Sequence, residues 1–327
     1  MLVPVLLFLA GFILLIKGGD WFVDGSVGLA RRFRVPELII GATVVSIGTT
    51  LPEVLVSATG ALEGHGDIAY GNAIGSIICN TSLIAALTIA IRPCHVNAKT
   101  FRTPVAFFFA AAVFYACTAY FSGRFDRWVG IVLLVMFAAY ITYTIWSGKR
   151  NGLPDPEEAE DAGPEEEEGE SPFWKTILML VVGAAAIAVG ARLLVDNGTI
   201  IAETLGVPET VIALTFVALG TSLPELVTAV TALVKGHSAL SIGNIAGANL
   251  FNLVLVSGLS TALNPFDVPR GKLFLGIPAS LAIDIPLMFL VMALMTIPAL
   301  VRGKLSRVQG IVLLAIYAAF CAFQFLG

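Results

Sequence analysis

The sequence predicts an all-α polytopic membrane protein, with ten transmembrane helices arranged as two inverted five-helix repeats. Composition is the first observation behind this prediction, because the 327 residues are 57% hydrophobic and only 13% charged. Soluble domains are about 45–50% apolar and about 25% charged, so the chain is too apolar for water. The other two observations are a series of long apolar segments and a set of motifs that occurs twice.

Ten segments are long enough to cross a bilayer, for which a helix needs about 20 mostly apolar residues. The first lacks the basic flank and the cleavage site of a signal peptide, so we interpret it as a membrane span. The stretch 274–282 is apolar but too short to span, and we expect it to graze the membrane interface. The predicted spans are 2–24, 36–61, 69–91, 103–121, 127–147, 173–196, 209–234, 241–263, 281–301 and 307–326.

Three motifs recur at an offset of 172 residues, which indicates an internal repeat. Between 35–82 and 207–254, 18 of 48 positions are identical. Each copy contains five spans, an odd number, so the second copy must enter the membrane upside down, as in many secondary transporters. The motifs are VPE at 35–37 and 207–209, GTTLPE at 48–53 and GTSLPE at 220–225, and GN followed by a second Asn at 71–80 and 243–252.

Acidic residues concentrate in one linker, which helps to define the domains. Ten of the 23 Asp and Glu residues lie between 155 and 170, which leaves 13 acidic against 19 basic residues elsewhere. This tract predicts a solvated linker, with cation sensing as the alternative, and the overall charge excludes an obvious nucleic-acid binder. The predicted domains are a first repeat at 1–150 with its motif region at 38–82, a cytoplasmic linker at 151–172, and a second repeat at 173–327 with its motif region at 210–254.

Basic residues predict how the chain is threaded. With the N-terminus outside, the inner loops hold 13 Lys and Arg residues and the outer loops hold 4. Because positive loops stay on the cytoplasmic side, we expect both termini outside. Asp24 and Asp196 are repeat-equivalent and lie near helix ends, where we interpret them as interfacial anchors, and we interpret His65 and His237 as turn residues.

Two carboxylates in the middle of apolar helices are the candidate functional residues. A charged side chain at the centre of a membrane helix costs about 2.5–3.5 kcal/mol on insertion scales, and the chain carries one at Glu53 and one at Glu225. Each follows a proline, which cannot donate to the carbonyl four residues earlier, here that of Gly48 or Gly220. We expect these freed carbonyls to act as oxygen ligands, with a plain proline kink as the alternative.

Polar residues at helical spacing surround both carboxylates. They supply only oxygen ligands, which suit Ca²⁺, Mg²⁺ or Na⁺ rather than zinc or copper, and Mg²⁺ is disfavoured because it dehydrates reluctantly. The alternative is that these residues only join helices. They are Ser46, Thr49 and Ser57 near Glu53; Thr221 and Thr228 near Glu225; and Asn72, Ser76 and Asn80 with their counterparts Asn244, Ala248 and Asn252 in the following helices.

The doubled GTTLPE and GN motifs resemble the two α-repeats of the Ca²⁺/cation antiporter superfamily, in particular its prokaryotic sodium/calcium exchanger branch. The resemblance implies that Glu53 and Glu225 bind Ca²⁺ directly, assisted by the backbone oxygens of Thr49 and Thr221. It further implies Na⁺ sites or a central cluster at Ser46, Thr50, Ser76, Asn80, Ser222, Asn252, Asn72 and Asn244. Ala248 and Asn252 depart from the pattern of well-known sodium-using members, and Ser46 stands where Ala is common.

We therefore expect a secondary transporter that exchanges Na⁺ for Ca²⁺ by alternating access, with the first and sixth spans as sliding elements. H⁺/Ca²⁺ exchange and K⁺-dependent exchange are the alternatives, and a cation channel is the alternative from a different class. An intramembrane enzyme would need a nucleophile with a base, or metal-ligand spacing such as HExxH. The three histidines lie at turns, and the sequence contains no such motif. The expected partners are Ca²⁺, Na⁺ and the lipid bilayer of a prokaryotic inner membrane, without a further cofactor or nucleic acid; a monomer is plausible and the oligomeric state stays open.

Overall fold

A computed structural model describes residues 2–150, 172–205 and 220–326. Within these ranges nine helices are long and apolar enough to cross a membrane, and a shorter apolar helix occupies the end of the seventh predicted span. The first part of that span and nearly all of the predicted linker 151–172 lie outside the described residues. The helices are α1 (Leu2–Phe33), α2 (Glu37–Leu62), α3 (Gly66–Ile91), α4 (Ala98–Ser122), α5 (Arg127–Arg150), α6 (Phe173–Thr204), α7 (Leu223–Val234), α8 (Ser238–Leu263), α9 (Ser280–Arg302) and α10 (Arg307–Leu326).

Six two-residue strands lie in the connections that the structure describes between the helices. The predicted interfacial stretch forms a hairpin of β4 and β5 whose tip, Leu275 and Gly276, has positive φ angles of 51° and 82°. Its described structure is therefore a tight turn that leads into α9. The strands are β1 (Cys94–His95), β2 (Arg124–Phe125), β3 (Phe266–Asp267), β4 (Leu273–Phe274), β5 (Ile277–Pro278) and β6 (Lys304–Leu305).

Strand pairing between the repeats demonstrates the inversion. β1, which follows α3, pairs with β6, which precedes α10, whereas β2, which precedes α5, pairs with β3, which follows α8. Equivalent connections of the two repeats therefore lie at opposite ends of the bundle. This arrangement confirms the predicted inverted repeat.

Side chains join four connections at one end, which we call the basic end: the α1–α2, α3–α4, α7–α8 and α9–α10 connections. His237 Nδ1 lies 2.9 Å from Glu37 Oε1, and Arg92 donates a 3.5 Å hydrogen bond to the carbonyl of Leu233. The β1–β6 pair completes the set. Most of the basic loop residues of the chain lie in these connections.

Each repeat caps a helix of the other with an arginine. Arg127 at the start of α5 donates to the carbonyls of Ala262 (2.9 Å) and Leu263 (3.2 Å) at the end of α8. Arg307 at the start of α10 donates in the same way to Ala90 (2.9 Å) and Ile91 (3.3 Å) at the end of α3. A cation is favoured at these termini because the last helical carbonyls are unpaired and partly negative.

The motif helices contain wider π-helical turns. In α3 and α8 these turns are Asn80–Ala85 and Asn252–Ser257, so repeat-equivalent asparagines begin both, and α2 has a third at Gly41–Val45. Such turns often occur at functional sites. Nothing in the hydrophobic pattern predicted them.

The two proline positions differ in structure. α2 remains helical through Pro52, which leaves the Gly48 carbonyl without its usual donor. α7 begins only at Leu223, after a turn at Thr221 and Ser222, so Pro224 lies in its first turn, where a proline is well tolerated. The sequence predicted similar loosening in both copies, whereas the structure shows a helix that continues through Pro52 in one and a helix that begins next to Pro224 in the other.

Burial separates a central from a peripheral set of helices. The apolar window of α8 is 89% buried and that of α3 72%, against 22% for α1 and for α6. α1 and α6 pack along each other through glycines: a Cβ on Gly11 would lie 2.8 Å from the Gly190 carbonyl, and one on Gly18 would lie 3.0 Å from the Gly183 carbonyl. The pair α1–α6 therefore forms a close-packed unit beside the core.

Candidate functional site

Glu53 and Glu225 lie in the interior where α2, α3, α7 and α8 meet. Both side chains are completely buried, with 0% exposure. They come from different repeats, yet the two carboxylates are close enough to interact electrostatically. The structure thus brings together the two residues that the sequence singled out.

Neither carboxylate forms an ion pair with a described residue. All four carboxylate oxygens are buried without a hydrogen-bond partner among the described residues. A buried charge is stable only when it is paired or coordinates a metal ion. The two acids therefore form a candidate site for cations or protons.

Hydroxyl and amide oxygens with no partner line the same interior. Thr50 and Ser222, which are repeat-equivalent, are 0% and 2% exposed, and neither hydroxyl has a partner among the described residues. The hydroxyls of Thr49 and Thr50 also approach the Glu225 carboxylate from the other repeat. These oxygens match the donor type that Ca²⁺ and Na⁺ prefer.

The central asparagines are only partly satisfied. Asn80 makes no side-chain hydrogen bond among the described residues through either its amide oxygen or its nitrogen, and Asn252 donates to the Ala248 carbonyl (3.0 Å) while its own oxygen has no partner. Ser76 is 4% exposed and lies one turn before Asn80 in α3. Ala248, its counterpart, is 0% exposed and supplies no side-chain oxygen.

Asn72 and Asn244 bridge the repeats in the described structure. Thr49 Oγ1 donates to Asn244 Oδ1 over 3.2 Å, and Thr221 Oγ1 donates to Asn72 Oδ1 over 3.3 Å. Asn72 also donates to the Glu53 carbonyl (3.2 Å) and to Ser57 (2.8 Å). These hydrogen bonds use the proton of each threonine hydroxyl and join the two repeats beside the carboxylates.

Ser46 takes part in helix contacts rather than standing free. Its hydroxyl lies 2.7 Å from the Gly41 carbonyl, five residues earlier in the π-helical turn, and 2.9 Å from the Asn244 carbonyl. α8 approaches this point so closely that a Cβ on Gly247 would lie 2.3 Å from Ser46 Oγ. The small residue at 247 is thus required by the contact between α2 and α8.

A polar cluster next to the site escaped the sequence analysis. Asn249 in α8 donates to Thr81 (2.7 Å), and its own amide oxygen is buried without a described partner. Thr228, which the sequence analysis noted for its spacing, has a buried hydroxyl with no partner in the part of the chain that the structure describes. A sequence signal for Asn249 existed, since it lies three residues before Asn252 and so on a neighbouring helical position.

A small cleft lies between the α1–α6 unit and the motif helices α2 and α7. Thr49 and both motif prolines line this cleft on the side of the motif helices. The cleft is lined by Phe22, Gly48, Thr49, Pro52, Ala184, Ile187, Ala188 and Pro224.

Comparison with known proteins gives these features a family context. A family model described as sodium/calcium exchanger protein matches residues 3–146 and 175–326. The chain is 35% identical over 311 residues to an uncharacterized membrane protein of Methanocaldococcus jannaschii, with 95% of this chain and 94% of that protein covered. It is 31% identical over 353 residues to the sodium/calcium exchanger MaX1 of Methanosarcina acetivorans, with 99% of each covered.

A solved structure agrees with both sequence comparisons. The sodium-calcium exchanger NCX_Mj, in crystals soaked with Na⁺ and Sr²⁺, matches with a TM-score of 0.80 at 31% identity over 98% of each chain. The resemblance stated from the doubled motifs is confirmed by these matches. The chain is a multi-pass membrane protein and belongs to the sodium/calcium exchanger protein family.

Proposed function

We propose that this chain is a secondary active transporter that exchanges Na⁺ for Ca²⁺ across a prokaryotic inner membrane. One observation carries the proposal: two fully buried carboxylates, Glu53 and Glu225, face the repeat interface without a described partner. Exchanger relatives over the whole length of the chain support it.

The ligand count suits Ca²⁺. Ca²⁺ takes about 6–8 oxygen ligands, and the four carboxylate oxygens with the backbone carbonyls of Thr49 and Thr221 would supply six. Two negative charges balance one Ca²⁺ or two Na⁺. Because either load uses the same charges, the two ions compete for the site, and this competition couples their movements.

The Na⁺ ligands in this proposal are the hydroxyl and amide oxygens around the carboxylates. Thr50, Ser222 and Ser76 would contribute hydroxyls, and Asn80 and Asn252 would contribute amide oxygens. Ala248 removes one hydroxyl from the second repeat. We therefore test Na⁺ against H⁺ and K⁺ as the counter-ion.

The α1–α6 unit supplies the moving part of an alternating-access cycle. Its two helices pack on each other through glycines. Among the long apolar helices of the described residues, only α10 has a smaller buried fraction than α1 and α6. The α1–α6 unit also borders the cleft beside Thr49. In our proposal the basic end faces the cytoplasm, which places both termini outside.

Transport assays test this function. The purified protein in liposomes is given ⁴⁵Ca²⁺ with an outward gradient of Na⁺, of K⁺ or of protons, or with no gradient. We expect uptake only with the Na⁺ gradient, and its loss in Glu53→Gln and in Glu225→Gln. Glu203→Gln, which neutralises an exposed carboxylate at the end of α6, is the matched control and should transport normally.

Three outcomes contradict the proposal. Uptake that is driven only by the proton gradient or only by the K⁺ gradient would show that H⁺ or K⁺, rather than Na⁺, is the counter-ion. Normal uptake in both Gln variants would show that the two carboxylates are not needed for ion binding. Uptake that does not saturate with Ca²⁺ concentration and needs no gradient of a second ion indicates a channel.

A further inference from the structure

Charged residues of the peripheral helices α1 and α6, and of the connections that follow the motif helices α2 and α7, are repeat-equivalent but exchanged in sign. At the offset of 172 residues, Asp20 of α1 corresponds to Arg192 of α6, and Lys235 after α7 corresponds to Glu63 after α2. Asp24 corresponds to Asp196 with its sign kept. Each end of the bundle therefore has a set of charges that could join a peripheral helix to a motif helix: Lys235 with Asp20 and Asp24 at the basic end, and Arg192 with Glu63 at the opposite end.

The group at the basic end is assembled. Lys235 Nζ lies 2.7 Å from Asp24 Oδ1 and 3.5 Å from Asp20 Oδ1, and it also donates to the Asp20 carbonyl over 3.3 Å. The lysine side chain is 26% exposed. It therefore ties α1 to the end of α7 through one turn of α1.

The equivalent group at the opposite end is not assembled. Arg192 is 85% exposed and its described ion pair is with Asp196 on its own helix, at 3.5 Å. Glu63 is exposed and forms no ion pair with any described residue. The residues for a second connection are present, and α6 and α2 do not use them in this conformation.

Helix packing shows the same difference between the two ends. α1 lies directly on α7, so that a Cβ on Gly19 would be 2.8 Å from Val227 and from Thr231. The equivalent face of α2 is uncovered by α6, since Leu55, the counterpart of Val227, is 66% exposed. The α1–α6 unit is therefore displaced toward the basic end.

We propose that these two groups are alternating ionic latches, in which Lys235 with Asp24 and Asp20 holds the basic end closed and Arg192 with Glu63 holds the opposite end closed. Movement of the α1–α6 unit would break the first latch and bring Arg192 to Glu63. Because the sign is exchanged between the repeats, Arg192 and the motif-helix residue of the first latch, Lys235, repel each other and cannot form a pair. This proposal rests on the transport function proposed above and assigns its conformational control.

Hydrogen–deuterium exchange of the full chain in nanodiscs tests the latches without a label. The readout is the exchange rate of backbone amides in segment 226–237, which α1 covers, and in the equivalent segment 54–65. We expect Lys235→Ala to raise exchange in 226–237 and to lower it in 54–65. A partly exposed ion pair changes such an equilibrium by up to about fivefold.

Variants of the second latch should shift exchange in the other direction. Arg192→Ala and Glu63→Ala alter exposed side chains, so folding is not at risk, and they should raise exchange in 54–65 relative to 226–237. The double variant Asp24→Lys/Lys235→Asp restores a pair with its signs exchanged and should return exchange toward the wild-type rates. Lys304→Ala removes an exposed lysine at the basic end without a described ion pair and is the matched control.

Unchanged exchange in both segments for Lys235→Ala and Arg192→Ala overturns the proposal, as does an equal effect of Lys304→Ala. The same preparations are assayed for Na⁺-driven ⁴⁵Ca²⁺ uptake. A wild-type protein without such uptake refutes the proposed function, whereas normal uptake with unmoved exchange rates refutes only the latches.

Discussion

Thr49 and Asn244 join the two repeats through a 3.2 Å hydrogen bond in which the threonine hydroxyl donates to the asparagine amide oxygen. The bond lies beside the buried carboxylates. The amide nitrogen of Asn244 has no described partner, so this bond is the one described side-chain contact that orients the asparagine. The contact therefore links the packing of α2 on α8 to the shape of the ion site.

Replacing Thr49 with Val should destabilise the protein by about 1–3 kcal/mol, because a buried amide then loses its donor. The measurement is the thermal unfolding temperature in detergent without Ca²⁺. Thr43→Val is the control, since the Thr43 hydroxyl donates within its own helix to the Ile39 carbonyl. Equal effects of the two changes would show that the hydrogen bond between the repeats contributes no more to stability than a hydrogen bond within one helix.

Gly247→Ala should disturb the contact between α2 and α8. The new methyl group would lie 2.3 Å from Ser46 Oγ and 2.6 Å from the Ala42 Cα, and overpacking of this kind costs about 1–3 kcal/mol. We expect lower thermal stability and slower Ca²⁺ uptake. Gly28→Ala is milder, because its methyl group would meet the Thr176 side chain at 3.2 Å; a wild-type stability for Gly247→Ala would contradict the described packing.

Ala248→Ser should strengthen Na⁺ binding. The change adds a hydroxyl to a fully buried position equivalent to Ser76, and Na⁺ prefers such hard oxygen ligands. We expect the Na⁺ concentration that half-inhibits Ca²⁺ uptake to fall several-fold. Ala246→Ser, a nearby buried change in the apolar core, should leave that concentration unaltered, and an equal response of both variants would refute a ligand role at 248.

Arg307→Ala should lower the free energy of unfolding by about 1 kcal/mol, because it removes two charge-assisted hydrogen bonds from the end of α3. Arg127→Ala should have a similar effect at the end of α8 through Ala262 and Leu263. Thermal unfolding measures both. Arg124→Ala, which breaks exposed ion pairs to Asp126 and Asp267, should change stability less, and the reverse order would contradict the capping role.

The repeat offset explains why so much could be predicted from the sequence. It identified Glu53 and Glu225 as equivalent, and an odd number of spans per copy then required the inversion that the β1–β6 and β2–β3 pairs demonstrate. Hydropathy placed the apolar helices because length and composition suffice for that purpose. The role of each site residue as an ion ligand stays a prediction.

Other features depend on three-dimensional contacts that an offset cannot supply. Asp24 was interpreted as an interfacial anchor, but it binds Lys235, which is 211 residues away in the chain. The π-helical turns at Asn80 and Asn252 arise from a shift in backbone hydrogen bonding and leave the apolar pattern unchanged. The helix start next to Pro224 and the intact helix at Pro52 come from nearly identical sequences, so packing around them decides the difference.

The exchange of arginine caps has a consequence for biosynthesis. The end of α3 is completed by Arg307, 216 residues after Ile91, and the end of α8 by Arg127 from the other half. When the first five helices of a nascent chain are inserted, the last carbonyls of α3 therefore have no arginine donor. They gain it only when α10 has been synthesised. Neither half is a finished folding unit, and a chain truncated before α10 would present an incomplete bundle to the quality-control proteases of its membrane.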